Sequence, residues 1–287
     1  METLLRRRFD ASDLPPAILR HPHKRLAYEL AMSGPAPSGS IEVTRWRSGD
    51  VPTRSSETEL VIEPGYYRYG DEPTTWHVNF ADPSLFYAYG SALLAQDELQ
   101  CLEHPALGQL REALGEHANT EDDAGATPVL VKHVERRCAL AGLYGNAFAT
   151  ASADEIRAAL SLVRPPTHTN LIAIAAPVGS GVYSRRELEL IASTAYTGFA
   201  AAVNEGAIEV RTGFWGCGAF GGNRLVMTAM QLYAARLAGV ARVRFYAFDD
   251  AGRADANAGA ALASLAGEHV IDAIRERELA RGIGNGT

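Results

Sequence analysis

Along this chain the spacing of apolar positions switches repeatedly between two residues and three to four, and each switch marks a new element. Alternating or apolar runs at Ile41 to Trp46, Glu59 to Ile62 and Thr75 to Ala81, set between Pro/Gly/Ser clusters, predict strands. Leu93 to Leu102 and Pro105 to Leu114 predict short helices, the acidic stretch Glu116 to Ala126 an exposed loop, and Val129 to Val134 a buried strand. Ser152-Ala-Asp-Glu155 and Ser184-Arg-Arg-Glu187 have the capping-box form, a serine with glutamate three residues on. They precede the helical stripes Ile156, Leu160, Val163 and Leu188, Ile191, Ala195, Phe199, Val203. Between these stripes Asn170 to Ala176 is an almost continuous apolar run, as expected of a central strand covered on both faces. Ala207 to Arg211 and Val243 to Phe248 predict further strands, with a helix between them over Leu225 to Leu237, closed by Gly239. Strands alternating with helices of this length predict an α/β protein in three layers, α/β/α, with its ligand site outside the carboxyl ends of the strands.

The two ends read differently. Leu14 to Met32 starts as a helix but is broken by Pro15, Pro16 and Pro22, and Ser33 to Gly39 is a loop, so residues 1–39 are expected to form an N-terminal appendage. Ala251 onward is alanine-rich helix that fades into a glycine-rich end. The main domain is therefore placed at 40–275 and a disordered tail at 276–287. With 287 residues, 47% of them hydrophobic, the chain can bury a substantial core. A formal charge of -7, with no basic run longer than Arg6-Arg7-Arg8, argues against a non-specific grip on nucleic acid. Lysine occurs only at Lys24 and Lys132 against 25 arginines, a skew that, with the many alanines, points to a GC-rich, bacterial genome. Cys101, Cys138 and Cys217 cannot all pair within the chain, which fits a reducing cytoplasm. No stretch approaches the ~20 apolar residues of a membrane span, and the start lacks the apolar segment of a signal peptide.

The chemistry concentrates in two places. Thr212 to Asn223 reads Thr-Gly-Phe-Trp-Gly-Cys-Gly-Ala-Phe-Gly-Gly-Asn, five glycines between a predicted strand and a predicted helix. Unpaired amides at a helix start, with the positive end of the helix dipole behind them, favour a phosphate, and glycine lets the backbone approach it closely. A tight turn that needs glycine only for its backbone angles is the plainer alternative. The second place is Gln96-Asp97-Glu98, at the start of a helix sixteen residues beyond Phe80. Adjacent carboxylates diverge by about 100° around a helix, so one can face a substrate while its neighbour supports it. A carboxylic acid beside a glycosidic oxygen can protonate the leaving group and then, as carboxylate, activate water. From spacing alone, two exposed acids on an amphipathic helix are the plainer reading.

Both segments resemble the poly(ADP-ribose) glycohydrolase branch of the macrodomain superfamily. Its Thr-Gly-Asn-Trp-Gly-Cys-Gly-Ala-Phe-Gly-Gly-Asp motif matches Thr212 to Asn223 except at Phe214 and Asn223. Its Val-Asp-Phe-Ala-Asn and Gln-Glu-Glu motifs lie on Val78 to Asp82 and Gln96 to Glu98, and Ala195 to Phe199 is similar to its Ala-Tyr-Cys-Gly-Phe helix. The resemblance spans about residues 75 to 250 and implies a macrodomain-like mixed sheet and a glycosidase acting on ADP-ribose-like nucleotides. By that resemblance Glu98 is the catalytic acid, Asp97 its acidic neighbour and Gln96 the start of the same motif. Gly216, Cys217, Gly218, Ala219, Phe220, Gly221 and Gly222 are expected around the pyrophosphate, with Phe220 shaping the ribose site. Three departures stand out: Asn79 for an aspartate, Asp82 for a ribose-contacting asparagine, and Phe86-Tyr87-Ala88 for a triple glycine. These last side chains are expected to intrude on the ligand space and to disfavour polymeric ADP-ribose, since a site built for particular polar groups rejects ligands that leave them unpaired.

Other readings remain open. Tyr183 either stacks on a base or packs under the glycine loop. Cys217 is expected as a small apolar filler. Gly179-Ser-Gly181 lacks the form of a nucleophile elbow, and His21-Pro-His23 has too few companions for a metal, so neither a metal nor a cofactor is assigned. Besides a glycosidase cleaving a small nucleotide glycoside or an ADP-ribosylated substrate, the pattern allows a module that only binds ADP-ribose or NAD, or a biosynthetic enzyme for a nucleotide-derived metabolite.

Overall fold

The computed structural model describes residues 1–47, 51–52, 55–70 and 72–282. In chain order the elements are β1 (Glu2–Asp10), α1 (Pro22–Ala31), β2 (Ser40–Arg47), β3 (Glu59–Glu63), β4 (Thr75–Ala81), α2 (Gln96–Glu103) and α3 (Ala106–Leu114). There follow β5 (Glu121–Asp122), β6 (Gly125–Ala126), β7 (Val129–Leu140), α4 (Asn146–Thr150), α5 (Ala153–Ala159), β8 (Leu160–Ala175) and α6 (Arg185–Asn204). The chain closes with β9 (Glu209–Thr212), α7 (Arg224–Ala238), β10 (Arg242–Tyr246), α8 (Asp250–Ala266) and α9 (Val270–Glu276).

Eight strands make one mixed sheet in the order β1-β2-β7-β8-β4-β9-β10-β3, antiparallel from β1 to β8 and parallel from β8 to β3. β4 sits near the middle and is buried at six of its seven residues, which is why its sequence carries almost no polar alternation. Side chains alternate across a strand. Trp76, Val78, Ile172 and Ile174 therefore face α6, α7 and the C-terminal helices, while Ala81, Leu171 and Ala173 face α3 and the segment before it. The predicted three layers are present.

Several local expectations change. Residues 1–39 join the main packing: β1 is the edge strand of the sheet, paired with β2, and Ala27 and Ala31 of α1 pack against Leu94, Leu102, Phe148 and Ile156. The predicted helix beyond Ile156 ends at Ala159, and Leu160 and Val163 belong to β8. Pro165 and Pro166 bar a helix there, and Leu160 instead pairs with Leu140 in a long β7–β8 ladder. Residues 277–282, expected in a disordered tail, dock on the molecule: the Tyr183 amide donates to the Leu279 carbonyl and the Arg281 amide to that of Gly181. Residues 283–287 lie outside the described residues.

Candidate functional site

The carboxyl ends of β4, β8, β9 and β10 open into a cavity of about 700 Å³. Both predicted segments line it. On one side stand Gly216 to Phe220, and on the other Gln96, Asp97 and Glu98.

The glycine loop is held from behind. Trp215 is fully buried and its indole donates to the Ile174 carbonyl at 2.9 Å, which fastens the loop to the end of β8. The Gly222 amide donates to the Gly216 carbonyl at 2.8 Å and the Gly221 amide to that of Gly218 at 3.0 Å, so these two glycines shape the loop without lining the cavity. Gly216 has φ +73°, and a Cβ there would lie 2.5 Å from that of Ala176; one on Gly222 would lie 2.7 Å from the Gly216 carbonyl oxygen. Among the described residues the amides of Gly218, Ala219 and Phe220 have no protein partner, and these residues face the cavity. Behind them α7 begins at Asn223, whose side chain accepts from the Val226 amide at 3.2 Å. Arg224 also lines the cavity, its guanidinium 4.8 Å from the centre of the Phe214 ring. Donor amides, a helix start and an arginine are groups that favour an anion such as a phosphate.

The acidic side is fixed by a different set of bonds. Gln96 staples the start of α2 to β4, its side-chain oxygen accepting from the Phe80 amide at 2.8 Å and its amide donating to the Val78 carbonyl at 3.1 Å. Glu98 accepts from the Ala95 amide at 2.9 Å, the glutamate half of a capping box whose other half alanine cannot supply. Asn79 is fully buried behind the cavity and donates to both Asp97 and Gln100 at 2.8 Å, so it orients Asp97 and does not line the cavity. That is chemically what the exchange of aspartate for asparagine allows: Asn79 supplies a donor where an acid would repel. Asp82 lines the cavity and accepts from the Ser84 amide at 2.9 Å.

Asp97 and Glu98 are 5% and 4% exposed. Burial raises the pKa of each carboxyl group, and for Asp97 the neighbouring Glu98 charge raises it further. Lys24 opposes this at Glu98. It reaches in from α1, is 2% exposed, and donates to the Tyr89 carbonyl at 3.1 Å; burial lowers its own pKa to about 8. The pair therefore keeps a proton well above the range of ordinary carboxyl groups, as an acid catalyst working near neutrality requires. Tyr144, from the segment after β7, also lines the cavity, and burial pushes its phenol up to about 12.

Two expected contacts are not made. Tyr183 is 2% exposed and does not line the cavity: its hydroxyl accepts from the Asn223 amide at 2.8 Å, and Arg281 lies 4.7 Å over its ring. It packs under the loop because its phenol serves the start of α7. Phe86 does not intrude either. It adopts φ 57°, is fully buried, and joins Leu85, Leu107 and Leu110 in the core of α3. The left-handed backbone costs about 1–2 kcal/mol, and burying a phenylalanine returns about 1.5–3 kcal/mol. Tyr87, 65% exposed, and Ala88 are what remain at the cavity edge. Cys217 faces the cavity, with burial raising its thiol to about 12, so it is not a ready thiolate. Lys24, Tyr144, Arg224 and the aromatic wall of Tyr66, Tyr67, Tyr69, Tyr246 and Phe248 escaped sequence reasoning. Only Lys24 carried a signal, its rarity.

Residues 129–255 match the family model described as poly(ADP-ribose) glycohydrolase, macro domain fold, a span that holds the glycine loop but not Gln96 to Glu98. No curated protein matches the chain. Among solved structures it is similar to poly(ADP-ribose) glycohydrolase from Thermomonospora curvata bound to the inhibitor ADP-HPD, at 15% identity over 88% of each chain and a TM-score of 0.48. It is also similar to the Deinococcus radiodurans enzyme in complex with ADP-ribose, at 13% identity over 94% of this chain and 92% of that one, with a TM-score of 0.43.

Proposed function

We propose that this chain hydrolyses the glycosidic bond of an ADP-ribosyl or closely related nucleotide substrate, with Glu98 as acid and then base. The observation that carries this reading is the single cavity lined on one side by the free amides of the glycine loop and on the other by a buried, proton-retaining carboxyl pair. The loop and Arg224 grip the diphosphate, and the distal ribose then falls at the start of α2. Protonated Glu98 gives its proton to the glycosidic oxygen as the bond from the anomeric carbon breaks and its electron pair leaves with that oxygen. An oxocarbenium-like centre remains, facing the Asp97–Glu98 pair. Water adds to it and returns a proton to Glu98. Asp97, held by Asn79, shares the retained proton with Glu98 beside that centre. The family match over the glycine loop supports the ligand class.

Phe86 turning into the core removes the reason to expect a cavity closed to turnover, so the glycosidase is favoured over a binding-only module. The three free cysteines and the net charge of -7 fit a small-molecule enzyme of a reducing bacterial cytoplasm that does not engage nucleic acid. The test is Glu98→Gln. Release of ADP-ribose from an ADP-ribosylated substrate should disappear, while calorimetric affinity for ADP-ribose stays within about tenfold, roughly 1.4 kcal/mol. Undiminished turnover by the variant would remove Glu98 from the mechanism.

A further inference from the structure

The cavity also extends along α2 beyond Glu98, where Glu103 and Arg136 line it. Its direction follows from contacts. The Phe80 ring lies 3.6 Å from where a Cβ on Gly213 would stand, the Phe80 amide binds Gln96, and Gln96 begins α2. Glu103 lies five residues further along the same helix, about 7.5 Å at 1.5 Å per residue, and it also lines the cavity. Glu98 near the start of α2 and Glu103 at its last residue therefore both face the cavity.

At the far end Arg136 of β7 gives its Nε to Glu103 at 2.9 Å, and its guanidinium lies 4.5 Å over the Tyr69 ring. The other carboxylate oxygen of Glu103 accepts from the Leu140 amide at 3.0 Å, so the acid is fully occupied in holding the arginine. Among the described residues the two terminal guanidinium nitrogens have no protein partner, and Arg136 lines the cavity. The walls here are Leu140, Leu143 and Tyr144. An immobilised, aromatic-backed fork of N–H donors in an apolar chamber recognises an acceptor oxygen on a flat, poorly hydrated group.

The geometry points to Arg136 as a specificity residue of a leaving-group subsite that takes a flat, unsaturated aglycone bearing a carboxylate or carbonyl oxygen. This rests on the glycosidase reading above and adds the chemical class of the group released. Arg136 touches only the departing portion, so free ADP-ribose, which lacks it, binds without Arg136.

The experiment compares two synthetic ADP-ribosides, one of phenol and one of 3-hydroxybenzoate, in the parent, in Arg136→Lys, and in the double variant Arg136→Met/Glu103→Gln, where no buried charge is left unpaired. Losing a charge-assisted hydrogen bond should lower kcat/KM for the benzoate glycoside about tenfold or more relative to the phenyl glycoside. Arg136→Lys should retain part of the preference, and ADP-ribose affinity should stay within about threefold of the parent in both variants. An unchanged benzoate-to-phenyl ratio, or a parallel fall for both glycosides, would overturn the assignment. If the parent cleaves neither glycoside, the same ratio is read as calorimetric affinity, and equal affinities overturn it. Failure of the parent to bind ADP-ribose itself would instead bring down the glycosidase reading, and this inference with it.

Discussion

Gly216→Ala tests whether the glycine loop is held by packing that a single methyl group cannot share. Two costs are expected at that position. Its φ of +73° places any non-glycine residue in the left-handed region, costing about 1–2 kcal/mol. In addition, the new Cβ would lie 2.5 Å from the Ala176 Cβ, which cannot rotate away, and 3.4 Å from the Met227 Cε, which can. Overpacking of that kind costs a further 1–3 kcal/mol or so. Gly239 is the internal control: it caps α7 at φ +75°, with nothing within 4 Å of its absent Cβ. Gly239→Ala therefore carries the backbone cost alone. Both variants are unfolded in urea and by heat, and ADP-ribose affinity is measured by calorimetry. Gly216→Ala should be less stable than Gly239→Ala by about 1–3 kcal/mol, or roughly 2 to 5 °C in Tm. It should also lose ADP-ribose affinity, because relief of the clash displaces the amides that face the cavity, whereas Gly239→Ala should keep it. Equal stability of the two variants, or unchanged affinity in Gly216→Ala, would refute the argument that loop geometry and packing are one constraint.

Two further predictions concern charge. Asp97 has a folded-state pKa raised above its ordinary value of 3.8, so the parent loses stability as pH rises through the window between the two. Asp97→Asn, which keeps an oxygen for Asn79, should gain Tm relative to the parent from acid to pH 8, and a pH-independent Tm difference would contradict the raised pKa. Burial alone would raise the Glu209 carboxyl group, but Arg244 and Arg211 hydrogen bonds outweigh it and hold the pKa at about 2, from 4.5. Its contribution is present above 4.5 and lost as pH falls towards 2, so Glu209→Gln should cost about 1–2 kcal/mol at pH 7, allowing for solvent screening, and much less at pH 2.5 in urea titrations.

Much of the sheet was legible because buried strands are written without alternation: Thr75 to Ala81 and the end of β8 at Asn170 to Ala175 matched the predicted runs. What failed was read through the wrong period or without its partner. β1 alternates Arg6 and Arg8 outward with Leu5 and Phe9 inward, yet three consecutive arginines masked the pattern. Arg6 stays at the surface by bridging Glu42 at 2.6 Å and Glu205 at 2.7 Å. Leu160 and Val163 fit a helical stripe equally well until β7 supplies a ladder for them. In the site, glycines and acids were legible because few residues do their work. Arg136, Tyr69 and Tyr144 were not, since each matters only through a neighbour brought from a distant segment. Phe86 shows the converse: its position marks it, but sequence gives the residue and not the direction of its side chain, which turns into the core.

The electrostatics of the acid pair connect the least legible part of the chain to the chemistry. Two carboxyl groups on consecutive residues, both nearly removed from water, cannot both ionise cheaply, and with no counter-charge the proton would be held too tightly to be given up. A cation hydrogen-bonded directly to one of them would have the opposite effect and strip the proton away. Lys24 lies between these limits. Its ammonium donates to the Tyr89 carbonyl, acts on Glu98 and Asp97 through space, and is itself depressed by burial. Burial thus raises both carboxyl groups while the Lys24 charge pulls them back, a balance that suits a group which must both give and regain a proton. The segment that delivers this charge, residues 22–31, packs through Ala27 and Ala31 against Leu94 and Leu102 on either side of the acids. Small residues on that face let α1 approach closely enough for a lysine to reach the interior. An N-terminal stretch that reads as an accessory thus moderates the proton affinity that burial gives a site otherwise built from the middle and end of the chain.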